Sequence, residues 1–279
     1  MSNPIVKPFL KWAGGKRQLL GEITKNMPEK YNNYYEVFIG GGALLFHLQP
    51  KKAVINDSNK ELINCYKVIR DDPEELIEDL KTHKNEAEYF YNIRKLDRHK
   101  KKYNKLSDIQ RASRIIYLNK TCFNGLFRVN SQGQFNVPFG KYKNPDIVNE
   151  VVIKEVSKYL NNNEIIIKNQ DFEDALNTAQ KDDFIYLDPP YDPVSNTASF
   201  TSYDMKGFGK KEQEKLKNAV DSLHKKGCKI LLSNSYTEFI RNLYNDKYYN
   251  QIIISATRSI NSKGNKRGKI EEILIKNYD

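Results

Sequence analysis

The chain has 279 residues, 39% apolar, 29% charged and 11% aromatic, which supports a core and excludes wholesale disorder. Lys and Arg number 46 against 35 Asp and Glu, and the formal charge of +11 favours a polyanionic partner. Cys65, Cys122, Cys228 and the four histidines lack metal-ligand spacing, and no apolar run nears a membrane helix, so a cytoplasmic protein without metal or membrane association is expected.

In chain order, short apolar runs predict strands at Tyr34–Phe38, Ala53–Asn56, Glu164–Lys168, Phe184–Leu187, Lys229–Ser233, Tyr249–Ile254 and Glu271–Lys276. Helical spacing appears at Ala43–Leu48 and again at Lys210–Lys226, where Leu216, Ala219, Val220 and Leu223 share a face. Such alternation favours a mostly parallel, doubly wound α/β sheet. The stretch Lys60–Tyr159 breaks the pattern. Amphipathic segments cover Lys60–Arg70, Pro73–Asn85, Glu86–Arg98 and Ser107–Asn119, and an irregular section over Thr121–Lys143 precedes a further helix at Asp146–Leu160. Asn130-Ser131-Gln132-Gly133 reads as a hairpin turn.

Asp188-Pro189-Pro190-Tyr191 follows the strand Phe184–Leu187 directly, where open α/β sheets bind ligands. The prolines fix an extended path and remove two N–H donors, leaving carbonyls to accept. An acid, a carbonyl and a ring held together suit a planar base bearing an exocyclic amine. Asp188 and the Pro189 carbonyl would take its N–H groups and Tyr191 would stack on its face. A Pro-rich turn capped by Asp is the competing reading.

Tyr35–Gly42 runs from a strand through Gly40, Gly41 and Gly42 into a helix, a place where backbone and ligand can approach closely. Its spacing is not the dinucleotide Gly-x-Gly-x-x-Gly. Asp57 follows the next strand, where an acid commonly binds ribose hydroxyls; a helix cap is the alternative. Lys11-Trp12-Ala13-Gly14-Gly15-Lys16 lacks the first glycine and the Ser or Thr of a phosphate loop, so a kinase or ATPase is disfavoured.

Taken in order, Lys11–Lys16, Glu36–Gly42, Asn56-Asp57, Asn124–Tyr142 and Asp188–Tyr191 resemble the Dam-type DNA adenine-N6 methyltransferases, the α-class, GATC-specific arrangement within the D12 class. The resemblance implies a Rossmann-like, seven-stranded, mostly parallel sheet with an inserted helical DNA-recognition domain carrying a β-hairpin. Residues 1–59 and 152–279 would form the catalytic domain and residues 60–151 the recognition domain. It implies S-adenosylmethionine as cofactor, S-adenosylhomocysteine as product, no metal, and double-stranded DNA as partner to a monomer or weak dimer. Asp188, Pro189, Pro190 and Tyr191 would be catalytic. Trp12, Lys16, Glu36, Phe38, Gly40, Gly41, Gly42, Asp57, Asp171, Phe172 and Asp188 would bind the cofactor. For Asp171-Phe172, a helix cap with a core Phe stays open. Lys11, Lys120, Phe123, Asn124, Leu126, Arg128, Asn130, Asn136 and Tyr142 would meet DNA, with Arg128 bidentate to guanine.

Three departures from the family pattern stand out. Val37 replaces a proline, Lys120 an arginine and Phe123 a tyrosine, so the reaction transfers more securely than the target sequence. The basic stretch Arg258–Lys269, with Lys263, Lys266 and Arg267, is either a solvated loop or a DNA-backbone contact. Methylation of cytosine N4 or of RNA, and a silent DNA binder on the same scaffold, are the alternatives. Cytosine C5 chemistry needs a nucleophilic cysteine, usually after proline, and Cys65, Cys122 and Cys228 follow Asn64, Thr121 and Gly227.

Overall fold

The computed structural model describes residues 2–194, 207–257 and 269–279. Its helices are α1 (Leu20–Lys25), α2 (Ala43–Leu48), α3 (Lys60–Asp71), α4 (Pro73–Lys81), α5 (Ala87–Lys95), α6 (Lys100–Tyr103), α7 (Asp108–Thr121), α8 (Glu150–Asn161), α9 (Phe172–Leu176), α10 (Lys210–Lys225) and α11 (Glu238–Leu243). Its strands are β1 (Tyr34–Glu36), β2 (Lys52–Asn56), β3 (Glu164–Lys168), β4 (Phe184–Leu187), β5 (Lys229–Ser235), β6 (Asn250–Thr257) and β7 (Lys269–Lys276). They form a seven-stranded sheet in the order β3-β2-β1-β4-β5-β7-β6. Strand β1 runs parallel to β2 and β4, and β4 parallel to β5; β7 is antiparallel to β5 and β6. The mostly parallel α/β sheet expected from the sequence is thus the one observed.

The order reverses between β1 and β4, where Glu36 pairs with Tyr186. That is the switch point of a doubly wound sheet, and chains leaving two neighbouring strands there diverge and leave room for a ligand. Asp188 is the first residue beyond β4.

Two compact units emerge from the contacts. The first comprises Met1–Gly15, Ile39–Lys51 and Asn56–Asn169; the second comprises Lys16–Phe38, Lys52–Ile55 and Gln170–Asp279. In the first, α3 is capped by Asn59, whose side chain accepts from the Leu62 N–H, and α7 opens with a reciprocal Ser107–Gln110 capping box. Ile115, Ile116, Tyr117 and Leu118 of α7 are buried, as are Cys65, Tyr66, Val68 and Ile69 of α3. The second unit has a core of alternating strand residues, Ile185 and Leu187, Ile230 and Leu232, Ile273 and Ile275, against Leu216, Val220 and Leu223 of α10.

Several boundaries differ from the expectation. The segment Pro73–Asn85 is helical only to Lys81, and Glu86–Arg98 gives α5 followed by a tighter turn at Leu96–Arg98. His83 explains the first stop: its ring faces Ser113 and Tyr89, at 3.0 and 2.9 Å, rather than continuing the helix surface. Helix α8 starts at Glu150, not Asp146, where the Asn149 side chain caps it. Asp57 is not the cap of α3; Asn59 is. Among the described residues, no helix is long and apolar enough to cross a membrane.

Candidate active site

Buried strand β4 delivers Asp188 to the end of the second unit's sheet, and two donors converge on its Oδ1. Lys16 Nζ lies 2.8 Å away, and Ser233 Oγ donates over 2.9 Å. Lys16 sits in a short turn before α1 and is only 7% exposed, so its charge is spent inside the protein rather than on solvent. The same ammonium lies 4.6 Å from the centre of the Tyr191 ring. Acid, cation and ring therefore form one cluster, and a desolvated cation over a ring contributes about 2 kcal/mol.

Tyr191 is held at its far end as well, where its hydroxyl donates to Glu272 Oε2 over 2.8 Å. Burial, then the Asp188 and Glu272 carboxylates, push its phenol well above the usual tyrosine range, so the hydroxyl stays a donor. Tyr186 is likewise kept neutral, chiefly by burial, and its hydroxyl lies 3.2 Å from Ser233 Oγ. The Pro190 carbonyl, one of the acceptors freed by the proline pair, is taken by Gln213 Nε2 at 2.9 Å.

The motifs assign Lys16 to the cofactor, Tyr191 to catalysis and Asp188 to both, and in the structure the three side chains lie together. The motifs did not anticipate Ser233, Glu272 or Gln213. A signal existed for the first: Ser233-Asn234-Ser235 is a polar triplet within a strand buried from Ile230 to Ser235.

Glu36, at the end of β1, is 3% exposed and accepts from the Tyr34 hydroxyl over 2.7 Å. Burial first, and then Glu36, raise the Tyr34 phenol far above its ordinary range. Phe38 packs with Phe172 and Phe208, at centroid distances of 5.6 and 5.7 Å. Asp171 caps α9 by accepting from the Glu173 N–H and pairs with Lys215 at 3.2 Å. A helix cap with a core Phe is therefore present at Asp171-Phe172.

In the first unit, Trp12 lies against the glycine turn. A Cβ on Gly40 would come within 2.9 Å of Trp12 Cδ1, and one on Gly42 within 2.6 Å of the Tyr66 hydroxyl. Both residues also adopt positive φ, 49° and 69°, so packing and backbone together demand glycine here. Asp57 fastens this turn: its Oδ2 accepts from the Gly40 N–H at 3.1 Å and its Oδ1 from the Asn59 N–H at 2.9 Å. A carboxylate has about four acceptor positions, so this role is compatible with binding hydroxyls too.

Trp12 stacks on Phe127 at 4.5 Å, which ties the glycine turn to the irregular section. There the expected hairpin closes as Gly133 N–H donates to the Asn130 carbonyl, with Gly133 at φ 74° and Val129 bridged to Phe135. Asn130 is committed to this turn, its Oδ1 accepting from the Gln132 and Gln134 N–H groups. The second arm is bolted down by side chains: Asp97 accepts from the Phe135 N–H, while Arg98 and Arg94 donate to the carbonyls of Phe135 and Val137. Phe123, Asn124, Arg128 and Tyr142 are exposed; Lys120, Leu126 and Asn136 are half-buried. Arg128 Nε donates to Asn136 Oδ1 at 2.8 Å, which orients the guanidinium. Lys11 is exposed, its backbone bonded in both directions to the Asn119 side chain. Arg258 to Gly268 lies outside the described residues, as does the Lys269 side chain.

Comparison with known proteins gives a consistent answer. Residues 12–260 match the model of the D12 class N6 adenine-specific DNA methyltransferases. The chain is 51% identical to the type II methyltransferase M1.LlaDCHI of Lactococcus lactis subsp. cremoris, over 98% of this chain and 96% of that protein. It is 43% identical to the type II methyltransferase M.MjaIII of Methanocaldococcus jannaschii, over 98% and 99%. Identity to the DNA adenine methylase of Haemophilus influenzae is 34%, over 96% and 92%.

Proposed function

The chain belongs to the D12 class of N6 adenine-specific DNA methyltransferases, and on that premise we propose that it methylates adenine N6 within GATC in double-stranded DNA, acting on a base swung out of the helix. As a methyltransferase of this class it takes its methyl group from S-adenosylmethionine. Residues 1–59 and 152–279 are proposed as the catalytic domain and 60–151 as the target-recognition domain.

The carrying observation is the cluster of Asp188, Lys16 and Tyr191 beyond β4. Oδ1 of Asp188 is engaged by Lys16 and Ser233, so Oδ2 is the oxygen we assign to the adenine amine. The Pro189 carbonyl takes the second N–H, and the Tyr191 ring stacks on the base. These bonds localise the nitrogen lone pair and aim it. When bound, S-adenosylmethionine supplies an electrophilic sulfonium methyl, and the protein contributes position and polarisation. Extruding the base costs a few kcal/mol, which stacking on Tyr191 helps offset.

The donor set suits the cofactor. Asp57 offers a carboxylate to the ribose hydroxyls beside the Gly40–Gly42 turn, with Trp12 against that turn. Lys16, Glu36, Phe38, Asp171 and Phe172 complete the proposed cofactor residues. Lys11, Lys120, Phe123, Asn124, Leu126, Arg128, Asn130, Asn136 and Tyr142 are proposed to meet DNA, Asn130 by shaping the hairpin.

Transfer of labelled methyl groups to duplexes holding GATC and each single-base variant, followed by nucleoside analysis, tests this reading. N6-methyldeoxyadenosine confined to GATC is expected. N4-methyldeoxycytidine, or equal labelling of every variant, would overturn it.

A further inference from the structure

Tyr191 has a peptide plane on either side, and side chains from two other elements grip both. On one side the Pro190 carbonyl accepts from Gln213 Nε2 at 2.9 Å. On the other, the Asp192 N–H donates to Asn234 Oδ1 at 3.0 Å. The two amides join, Asn234 Nδ2 donating to Gln213 Oε1 at 3.1 Å, and Asn234 Oδ1 also takes the Ser235 N–H at 2.8 Å. Beyond them, Asp192 Oδ2 accepts from the Thr237 hydroxyl at 2.7 Å, and Thr237 caps α11. Gln213 and Asn234 are both 0% exposed, and Asp192 is 7% exposed.

Buried amides are costly unless every group is paired, and a fully paired network specifies one geometry. Here that geometry bears on a single residue. The plane before a Cα sets φ and the plane after it sets ψ, so fixing both fixes the direction of the Tyr191 side chain. Its hydroxyl bond to Glu272 then limits rotation of the ring. Gln213 comes from α10 and Asn234 from β5, so the ring is referenced to a helix and a sheet strand and not to its own loop.

We propose that Gln213 and Asn234 are positioning residues that hold the Tyr191 ring at the angle needed to stack on the extruded adenine. The proposal rests on the assignment of Tyr191 above. Neither side chain touches the substrate; each acts through the backbone flanking the ring. Misplacing a reacting base by about 1 Å can cost on the order of 10²-fold in rate.

The test is single-turnover methyl transfer on a GATC duplex, with cofactor and DNA affinities measured alongside. Gln213→Met should slow transfer about 10- to 100-fold while both affinities stay within about threefold. Gln213→Glu keeps the length and the bond from Asn234 but loses the donor to Pro190. Burial raises a carboxyl's pKa, and the protonated form donates again, so this variant should recover relative to wild type as pH falls. A role in folding alone would not produce that profile. In a Tyr191→Ala background, Gln213→Met should add less than about threefold, because its effect passes through the missing ring. The same loss in both backgrounds, or a wild-type rate for Gln213→Met, would overturn the proposal. A wild-type rate for Tyr191→Ala would instead overturn the stacking role on which it rests.

Discussion

At Asp188 the two carboxylate oxygens have different surroundings. Lys16 and Ser233 both engage Oδ1, and the proposed acceptor task is assigned to Oδ2. Asp188→Asn preserves shape but puts an amide donor where an acceptor is required. Transfer should fall about 10²- to 10³-fold, as for the loss of one preorganised hydrogen-bond partner. DNA affinity should hold within about threefold, since phosphate contacts dominate it. Filter binding and single-turnover assays on one preparation separate the two, and parallel losses would count against a catalytic Asp188. Arg128 carries the matching argument for target choice. Its exposed guanidinium is oriented by Asn136, which leaves a planar fork suited to guanine O6 and N7. Arg128→Ala should erase roughly 1–3 kcal/mol of preference for GATC over its one-base variants. Competition between labelled duplexes reads this directly, and unchanged selectivity would move target choice to other residues.

Helices α4, α5 and α7 meet around His83, and their packing gives stability a pH dependence of known sign. The imidazole stacks on Tyr117 at 4.3 Å and bonds Ser113 and Tyr89, and burial pulls its pKa below the ordinary histidine range. The Asp79 carboxylate, 3.9 Å away, opposes that shift without reversing it. Unfolded histidine titrates at about 6.5, so on acidification the unfolded chain takes the proton first. The contribution is present above that pH and is lost as pH falls toward the depressed folded value, by up to about 1.4 kcal/mol per pH unit. Urea unfolding between about pH 7.5 and 5.5 should show His83→Gln less stable than wild type but flatter with pH; parallel curves would refute the linkage. The sequence made the positions of the strands legible, because short buried apolar runs have few other uses. It did not reveal that β7 lies between β5 and β6 and runs antiparallel, since a run of apolar residues carries no direction. Helices α1 and α11, six residues each, show no clear period and follow no motif, whereas α2, of the same length, is marked by the three glycines before it. The site followed the same rule. Motif residues Asp188 and Tyr191 were visible, whereas Gln213 and Glu272 read as ordinary helix and strand. Gln213 nevertheless left a trace: it lies three and seven residues before Leu216 and Val220, a buried polar group on the apolar stripe of α10.

On the scale of the whole chain, a charge of +11 cannot by itself choose among DNA sequences, because every duplex presents the same phosphates. It sets affinity common to all of them, while any selectivity must come from a few oriented groups, the role proposed for Arg128. The two contributions respond differently to salt. Each phosphate neutralised releases condensed counterions and steepens log K against log salt by about 0.9, so four contacts would give a slope near −3.6. Base contacts inside a desolvated interface release no such counterions. Affinity for GATC and for a one-base variant should therefore fall steeply and almost in parallel as salt rises, with the ratio between them nearly constant. Equilibrium titrations of both duplexes from about 50 to 200 mM salt provide the measurement. A slope near zero would show that the cationic surplus does not face the phosphates. Parallel slopes with no offset would show that phosphate contacts are made but nothing reads the bases. A ratio that collapses as salt rises would mean that the preference for GATC is itself made of phosphate contacts, and Arg128 would lose its role as a reader of guanine.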